Sequence, residues 1–239
     1  MSGAVLTEAR DGVLVITLNR PKAHNVIDQA VTDGVLEAIA VLDGDDTLRV
    51  GLLTGSPTMF CAGLDLKHFA AHGMPVGMED VLLRHGARKP LVAAIEGVAF
   101  GGGLELAMIA DVLVAATDAQ LGQAEVRYGL FPTGGALLRL PAALIREMVL
   151  TGQPITAERA LQHGLVHRLT EPGKSFQTAL ELATTIAANP PGGVQAAKQV
   201  LDARGNLTED EVWALQQRLA ADVFAGDDVQ QAVNAFLNR

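Results

Sequence analysis

Residues 94–116, AIEGVAFGGGLELAMIADVLVAA, carry the pattern that decides the fold class of this chain. The segment is almost wholly apolar, yet it holds three consecutive glycines, residues 101–103, followed by Glu105. The apolar residues before the glycines favour a buried strand, and those after them favour a short helix and then another strand. A glycine run at a strand-to-helix turn lets the backbone approach a ligand closely, because no Cβ atoms stand in the way.

This turn combines two groups that are useful for chemistry on a carbonyl compound. The first N–H groups of a helix have no intrahelical partner and lie at the positive end of the helix dipole. The N–H of Gly102 is therefore a candidate donor to an oxygen that gains negative charge, and Glu105 is a candidate acid or base. Tight strand–helix packing, with Glu105 as an ordinary helix N-terminal charge, is the alternative explanation. The spacing matches neither the GxGxxG pattern nor a Walker A motif.

A second turn of the same kind precedes the first. In residues 60–67, FCAGLDLK, Gly63 leads from a loop into a helix and leaves free N–H groups around Leu64. Two such turns can supply two donors to one oxyanion. Glu125, within LGQAEVRYG at residues 121–129, is a further carboxylate in a largely apolar neighbourhood.

Strand and helix patterns alternate up to about residue 140, and helical patterns follow. This alternation favours an α/β fold, and the helical tail is too small to be a convincing independent domain. Strands are expected at residues 12–19, 49–56, 90–100 and 111–117. Helices are expected at residues 26–42, from Asp65 onwards, and at 77–87, 102–110, 157–163, 173–188, 193–203, 209–224 and 229–237. Residues 121–135 are expected to be irregular, and residues 136–152 mostly helical.

The composition indicates a globular protein with one domain, or with one domain and an appendage. Of the 239 residues, 49% are hydrophobic and 19% are charged, and the net charge of −9 argues against a nucleic-acid surface. Cys61 is the single cysteine, which excludes an intrachain disulfide and fits a reducing compartment. The first residues lack the pattern of a secretory signal, and the acidic residues within 94–116 argue against a membrane span. We expect a soluble, cytoplasmic protein with no membrane partner.

Taken together, the motifs resemble those of the enoyl-CoA hydratase/isomerase (crotonase) superfamily. The matching pieces are NRPKAHN (19–25), FCAGLDL (60–66), residues 94–116, LGQAEVRYGLFPTGGALLRLP (121–141) and TGQPITAERALQHGLVHRL (151–169). The resemblance covers nearly the whole chain, and the order of AGxD and GGGxEL is specific. It implies an α/β spiral of ββα units over residues 1–190. Residues 191–239 would form a helical region that packs on the core or on a neighbouring subunit of a homotrimer or homohexamer.

The resemblance also implies an enoyl-CoA hydratase, which adds water reversibly to a 2-enoyl-CoA thioester. By motif position, the N–H groups of Leu64 and Gly102 would form the oxyanion hole for the thioester oxygen. Glu105 would help to activate water, and Glu125 would deliver a proton to Cα. Many relatives with other activities lack one or both glutamates. The alternatives are a carnitinyl-CoA-type dehydratase, an enoyl-CoA isomerase, or a protein that binds acyl-CoA without turning it over.

Coenzyme A is part of the expected substrate, so no separate cofactor and no metal are implied. Lys22 and Lys67 are the cations nearest to the motifs, although plain surface charge also explains them. Ala23 and Ala62 stand where the family uses backbone groups near the adenine and pantetheine, and Asp65 completes the expected CoA-contact set.

Other polar residues have simpler explanations. Cys61 lacks an obvious base partner, so it is expected to be a small buried residue. The four-residue spacing of His163 and His167 would allow both to bind one metal ion. Gly164 and the lack of a third ligand favour a helix-to-strand turn instead. Glu96 is expected to be a paired strand residue.

The residues around the second glutamate bear on the acyl pocket. Arg127, Tyr128 and Phe131 are not the residues expected of a short-chain hydratase, so they are candidates for reshaping that pocket. Gly134 and Gly135 are candidates for shaping it too, with tight helix packing as the alternative.

Overall fold

Strands and helices alternate through the first two thirds of the chain in this computed structural model, which describes residues 3–79 and 86–237. The strands are β1 (Val5–Arg10), β2 (Val13–Leu18), β3 (Val50–Thr54), β4 (Leu91–Ile95), β5 (Val98–Phe100), β6 (Val112–Ala116), β7 (Gln120–Gly122), β8 (Ile155–Thr156) and β9 (Arg168–Thr170). The helices are α1 (Gln29–Gly44), α2 (Leu66–His72), α3 (Gly102–Ala107), α4 (Ala136–Arg139), α5 (Ala142–Thr151), α6 (Ala157–Gln162), α7 (Ser175–Ala187), α8 (Pro191–Ala203), α9 (Glu209–Ala225) and α10 (Asp227–Leu237). Short 3-10 helices cover Pro21–Ala23 and Glu125–Tyr128.

The strands form a larger and a smaller sheet. The six-stranded sheet has the order β1-β2-β3-β4-β6-β9; β1 and β2 are antiparallel, and the pairs from β2 onwards are parallel. The three-stranded sheet has the order β5-β7-β8. Because β4 and β5, and likewise β6 and β7, enter different sheets before a helical segment follows, the chain repeats a ββα unit. The expected α/β class and spiral of such units are confirmed.

The single strand predicted for residues 90–100 was wrong, because two strands of different sheets occupy this segment. They are separated at Gly97, which has a φ of +65°. This left-handed conformation suits glycine and turns the chain from one sheet into the other.

Helices cover both faces of the large sheet. Along β2, Val13 and Val15 belong to an apolar cluster completed by Ala179 and Ala183 of α7. The alternate residue Leu14 faces the larger cluster, to which α1 contributes. This alternation is the period of two expected of a strand whose two faces are both buried. Burial of each aliphatic side chain stabilises the fold by about 1.5–3 kcal/mol. The packed sheet therefore keeps the site residues in fixed positions.

Most of the other predicted elements are confirmed, with shifts of a few residues at their ends. β1 was not predicted, and residues 121–135 contain β7 and a 3-10 helix rather than purely irregular structure. Much of the helix predicted for residues 77–87 lies outside the described residues. The expected turn after α6 is confirmed, because His163 caps that helix and β9 begins at Arg168.

The C-terminal helices are tied to the core by a buried cation. Lys198 of α8 places its Nζ 2.7 Å from Oδ1 of Asp111, whose Oδ2 accepts a hydrogen bond of 2.8 Å from the N–H of Leu91. The division of the chain near residue 190 and the association of these helices with another subunit stay predictions. Within the described residues, no helix is both long enough and apolar enough to cross a membrane.

Candidate active site

The start of α3 places a free N–H group at the end of β5. Gly101, the N-cap, has φ +53° and ψ −128°, a conformation that residues with a Cβ rarely adopt. Its own N–H donates to the carbonyl of Gly122 at 2.8 Å, which joins this turn to β7. The next N–H, that of Gly102, finds no acceptor among the described residues.

The loop before α2 brings a second free N–H to the same place. On either side of Leu64, the carbonyl of Gly63 accepts from Ile27 at 2.8 Å, and the N–H of Asp65 donates to Ile27 at 2.9 Å. This parallel bridge uses the groups that flank Leu64, so its own N–H points the other way and has no acceptor in the described part of the chain. The nitrogen of Leu64 lies 3.9 Å from the position that a Cβ on Gly102 would occupy. Two unpaired N–H groups therefore lie close together.

The glycines serve packing as well as access. A Cβ on Gly63 would lie 2.7 Å from the carbonyl oxygen of Phe100, and one on Gly103 would lie 2.5 Å from that of Cys61. Real Cβ atoms do not approach other atoms so closely. The alternative drawn from the sequence for the turn at residues 101–103, tight packing, is therefore correct for Gly103, and the same packing brings the two N–H groups together.

Glu105 lies in the first turn of α3 and is only 3% exposed. Its Oε1 accepts a hydrogen bond of 3.1 Å from the N–H of Ala136, at the start of α4. Burial raises the pKa of Glu105, against the hydrogen bonds from Ala136 and Gly134 and the positive charge of Arg139. These partners favour the ionised form within an environment that opposes it.

Glu125 approaches the N-terminus of α3 from the other side. Its Oε1 lies 3.1 Å from the position that a Cβ on Gly101 would occupy, so the carboxyl group sits directly against that glycine. Burial raises the pKa of Glu125 to about 7; its own backbone N–H opposes this rise, and the negative charge of Glu105 adds to it. The two glutamates thus interact electrostatically and titrate as a coupled pair.

Gln123 holds the carboxyl group of Glu125 in place. Its side chain is fully buried. When the amide is oriented so that both groups are satisfied, its nitrogen donates to Oε1 of Glu125 at 2.8 Å and to Oε2 at 3.1 Å. The sequence analysis missed this residue. The one available signal was a polar side chain between the buried residues of β7 and the second glutamate.

Two more contacts that the sequence analysis missed surround Glu105. Arg139 donates to the carbonyl of Gly134 at 3.4 Å, on the turn whose N–H groups bind Glu105. Thr133 donates its hydroxyl to Oε1 of Glu79 at 3.0 Å. No local sequence pattern predicts these contacts. Thr133 and Glu79 are distant in the sequence, and Arg139 reaches Gly134 only because the chain turns between them.

The expected CoA-contact residues come from two segments, the first 3-10 helix and the loop that leads into α2, with the first turn of that helix. Lys22, in the first 3-10 helix, and Lys67, in the first turn of α2, are both exposed. The carbonyl of Ala23 accepts a hydrogen bond of 3.1 Å from the N–H of Val26. The N–H of Ala62 donates to the carbonyl of His24 at 3.0 Å. Contact between any of these residues and CoA stays a prediction.

Asp65 has partners within the protein. Its Oδ1 accepts from the N–H groups of Lys67 and His68 at 3.0 and 3.1 Å, and so caps α2. Its Oδ2 lies 3.4 Å from Nη2 of Arg20. Burial opposes ionisation of Asp65, but the N–H groups and the charge of Arg20 outweigh it and hold its pKa below the ordinary value. A role in CoA contact stays a prediction for this residue, beside the capping role that the geometry gives it.

Several residues set aside in the sequence have structural roles. Burial raises the pKa of the Cys61 thiol to about 12, which suits a buried structural residue and not a nucleophile. Glu96 accepts from the N–H groups of Gly173 and Ser175 at 3.0 and 2.9 Å, at the start of α7. His167 accepts at Nδ1 from the N–H of Leu113 at 3.0 Å. Among the described residues, no group of three or more His, Cys, Asp or Glu side chains is arranged to hold a metal ion.

The aromatic residues after Glu125 face outwards in the single chain. Tyr128 is 65% exposed and Phe131 is 63% exposed. Arg127 packs against Gly152, with its Cγ 2.9 Å from the position of a Cβ there. Within one chain, these three side chains cover the surface beside the site rather than its interior.

Comparison with known proteins gives one consistent family. The family model described as enoyl-CoA hydratase/isomerase matches residues 8–239. An enoyl-CoA hydratase of Mycobacterium tuberculosis, EchA19, is 35% identical, over 98% of this chain and 93% of its own length. A carnitinyl-CoA dehydratase of Proteus mirabilis is also 35% identical, over 91% of this chain and 87% of its own length.

The fold agrees with this sequence similarity. A crystal structure of an enoyl-CoA hydratase from Mycobacterium tuberculosis H37Rv superimposes with a TM-score of 0.94 and is 42% identical. The match covers 100% of this chain and 97% of that one. Sequence and structure similarity therefore extend over the whole site described above.

Proposed function

This chain belongs to the enoyl-CoA hydratase/isomerase family of enzymes, and from that premise we propose that it adds water reversibly to 2-enoyl-CoA thioesters. One observation carries the proposal: two unpaired N–H groups and two carboxyl groups with raised pKa values meet at the start of α3. A protein that only binds acyl-CoA has no need of such a pair of carboxyl groups.

The free N–H groups of Leu64 and Gly102 form the oxyanion hole. Attack of water at Cβ of a 2-enoyl thioester pushes negative charge onto the thioester oxygen. Donors that are already oriented stabilise that charge without reorganisation, and the loss of one such donor raises the barrier by about 3–4 kcal/mol. The charge at the start of α3 adds to this stabilisation, because the positive end of the helix dipole lies there.

The two glutamates divide the proton transfers. Glu105 accepts N–H hydrogen bonds and lies near Arg139, all of which favour its ionised form, so it is the base that activates water. The pKa of about 7 at Glu125 keeps a large share of it protonated near neutral pH, so it is the group that delivers a proton to Cα. Neighbouring carboxyl groups with separated roles are a common way to run acid and base chemistry together.

The remaining parts of the proposal concern CoA and assembly. Lys22 and Lys67 contact the CoA phosphates, with the backbone at Ala23 and Ala62 and the Asp65 turn beside the adenine and pantetheine; the exposure of both lysines supports this. The chain forms a homotrimer or homohexamer, which is supported by large exposed apolar side chains on α9 and α10, among them Phe224 at 70% and Phe236 at 74%. A cytoplasmic location, which a free buried thiol suits, belongs to the same proposal.

A carnitinyl-CoA-type dehydratase is the second candidate, because one relative of 35% identity carries that name. It would use the same oxyanion hole and the same two carboxyl groups on a substrate with a charged acyl group. The two candidates therefore differ in the substrate and not in the catalytic groups.

The test is the loss of enoyl-thioester absorbance with purified protein and a panel of 2-enoyl-CoAs, run with Glu105→Gln and Glu125→Gln. Rapid loss with the unchanged protein, and a fall of about 10²–10⁴-fold in each variant, is expected if the pair performs the proton transfers. An isomerase needs one carboxyl group and would tolerate one of the two changes. Binding without turnover on every chain length would refute hydration.

A further inference from the structure

A third carboxylate stands beside the catalytic pair. Met78 is buried, and its Cε lies 3.1 Å from the position that a Cβ on Gly102 would occupy. The side chain of Met78, the residue before Glu79, therefore packs against the turn that carries the Gly102 N–H.

Glu79 is fixed to the turn that binds Glu105. Its Oε1 accepts from the hydroxyl of Thr133 at 3.0 Å, directly before Gly134. The N–H groups of Gly134 and Ala136 in turn hold Glu105. Glu79 is exposed, and its negative charge adds to the rise in the pKa of Glu105.

The direction of the acyl chain follows from the chemistry of the site. The thioester oxygen accepts hydrogen bonds from the two free N–H groups, and Cα and Cβ of the enoyl group must reach the two glutamates. In the complex that the proposed function requires, acyl atoms beyond Cβ continue past Glu105, towards the pair formed by Thr133 and Glu79. The guanidinium of Arg139 lies on the same turn, where its positive charge acts on Glu105, whereas Glu79 accepts its hydrogen bond from the neutral hydroxyl of Thr133.

We propose that Glu79 determines substrate specificity by excluding acyl groups with an anionic end, so that the substrate is a 2-enoyl-CoA whose acyl group is neutral or cationic. This inference rests on the proposed function for the position of the acyl chain. A carboxylate on the acyl chain would come next to the exposed negative charge of Glu79. Like charges brought together at the edge of a binding site weaken binding and suppress wrong partners.

The decisive variant is Glu79→Gln, because a glutamine oxygen still accepts from Thr133 while the charge is removed. The probes are three acyl-CoAs of matched length that end in a methyl, a carboxylate or a trimethylammonium group. Dissociation constants of the saturated forms are measured by calorimetry, and kcat/KM is measured on the 2-enoyl forms. Glu37→Gln is the matched control, because Glu37 is an exposed glutamate on α1.

The unchanged protein is expected to bind the carboxylate probe about tenfold more weakly than the methyl probe. Glu79→Gln should narrow this ratio about three- to tenfold, and should weaken the trimethylammonium probe relative to the methyl probe. Thr133→Val, which keeps the charge but loses the hydrogen bond, should keep a preference against the carboxylate probe. Glu37→Gln should leave every ratio unchanged.

The inference would be overturned if Glu79→Gln left the ratio of the carboxylate-probe and methyl-probe dissociation constants unchanged. It would also be overturned if the unchanged protein bound the carboxylate probe more tightly than the methyl probe. A failure of the proposed function looks different. In that case the methyl-ended 2-enoyl-CoA binds and is not hydrated, while the binding ratios still test Glu79. Absence of binding by all three probes would overturn both proposals.

Discussion

Replacing Glu125 with Gln should lower the activity by about 10²–10⁴-fold and yet stabilise the fold at alkaline pH. The reason is that the folded protein raises the pKa of Glu125 from 4.5 to about 7, chiefly through burial. Between these two values, the folded state holds a proton that the unfolded state has lost. The free energy of unfolding therefore falls as pH rises through this window, and the full penalty is present above about pH 7. Glutamine carries no charge and avoids that penalty.

The size of the effect follows from these two pKa values. Each unit of difference between the pKa in the folded and unfolded states corresponds to about 1.4 kcal/mol of the free energy of unfolding. For a fully buried group, the shift at Glu125 would therefore lower the free energy of unfolding by roughly 3 kcal/mol. Glu125 is only half-buried, and solvent screening reduces this to about 1–2 kcal/mol. For a chain of this length, such a difference moves the melting temperature by roughly 2–8 °C.

The assay is urea or thermal unfolding of the unchanged protein and Glu125→Gln at pH 5 and at pH 8. The stability gain of the variant should be small at pH 5 and larger at pH 8. Glu147→Gln is the control, since the pKa of Glu147 is lowered by its hydrogen bond and ion pair with Arg159, so this change should bring no gain at pH 8. An equal difference at both pH values, or a variant that loses stability as pH rises, would refute the electrostatic reasoning.

Three further changes test the contacts that support the site. Glu96→Ala removes the acceptor for two N–H groups at the start of α7 and should lower the free energy of unfolding by about 1–3 kcal/mol in urea. Gly103→Ala places a Cβ 2.5 Å from the carbonyl of Cys61, so the soluble yield and the melting temperature should both fall, whereas Gly193→Ala, where a Cβ meets nothing within 4 Å, should be tolerated. Lys198→Met leaves the carboxylate of Asp111 without its cation and should cost about 1–3 kcal/mol, measured by the same unfolding curves.

Elements with strong periodicity could be predicted from the sequence, and elements that depend on pairing could not. α1 and α7 carry apolar residues at helical spacing, so their positions followed from the pattern. β1 could not be found this way, because five of its six residues are exposed and it exists through its pairing with β2. The break between β4 and β5 lies inside a continuous apolar run, where the left-handed Gly97 decides the geometry.

The same distinction holds for the site. Local sequence motifs contain the residues that were predicted to form the site, which are Leu64, Gly102, Glu105 and Glu125. The pairing of Glu79 with Thr133 joins residues 54 positions apart, and nothing local to either one predicts it.

The start of α3 explains why the chain accepts one buried and one half-buried carboxyl group although its net charge is already −9. A six-residue helix contributes little stability of its own, but its first N–H groups supply fixed positive charge at low cost, because they have no other partner. Glu105 and Glu125 are held near this charge by Ala136 and Gln123, which both follow β7 in the chain. The hydrogen bond from Ala136 reduces the penalty of burying Glu105 without removing it, and burial keeps the pKa of Glu125 near neutral. A version of the site that satisfied both carboxylates fully would be more stable and would lose the proton that the reaction requires.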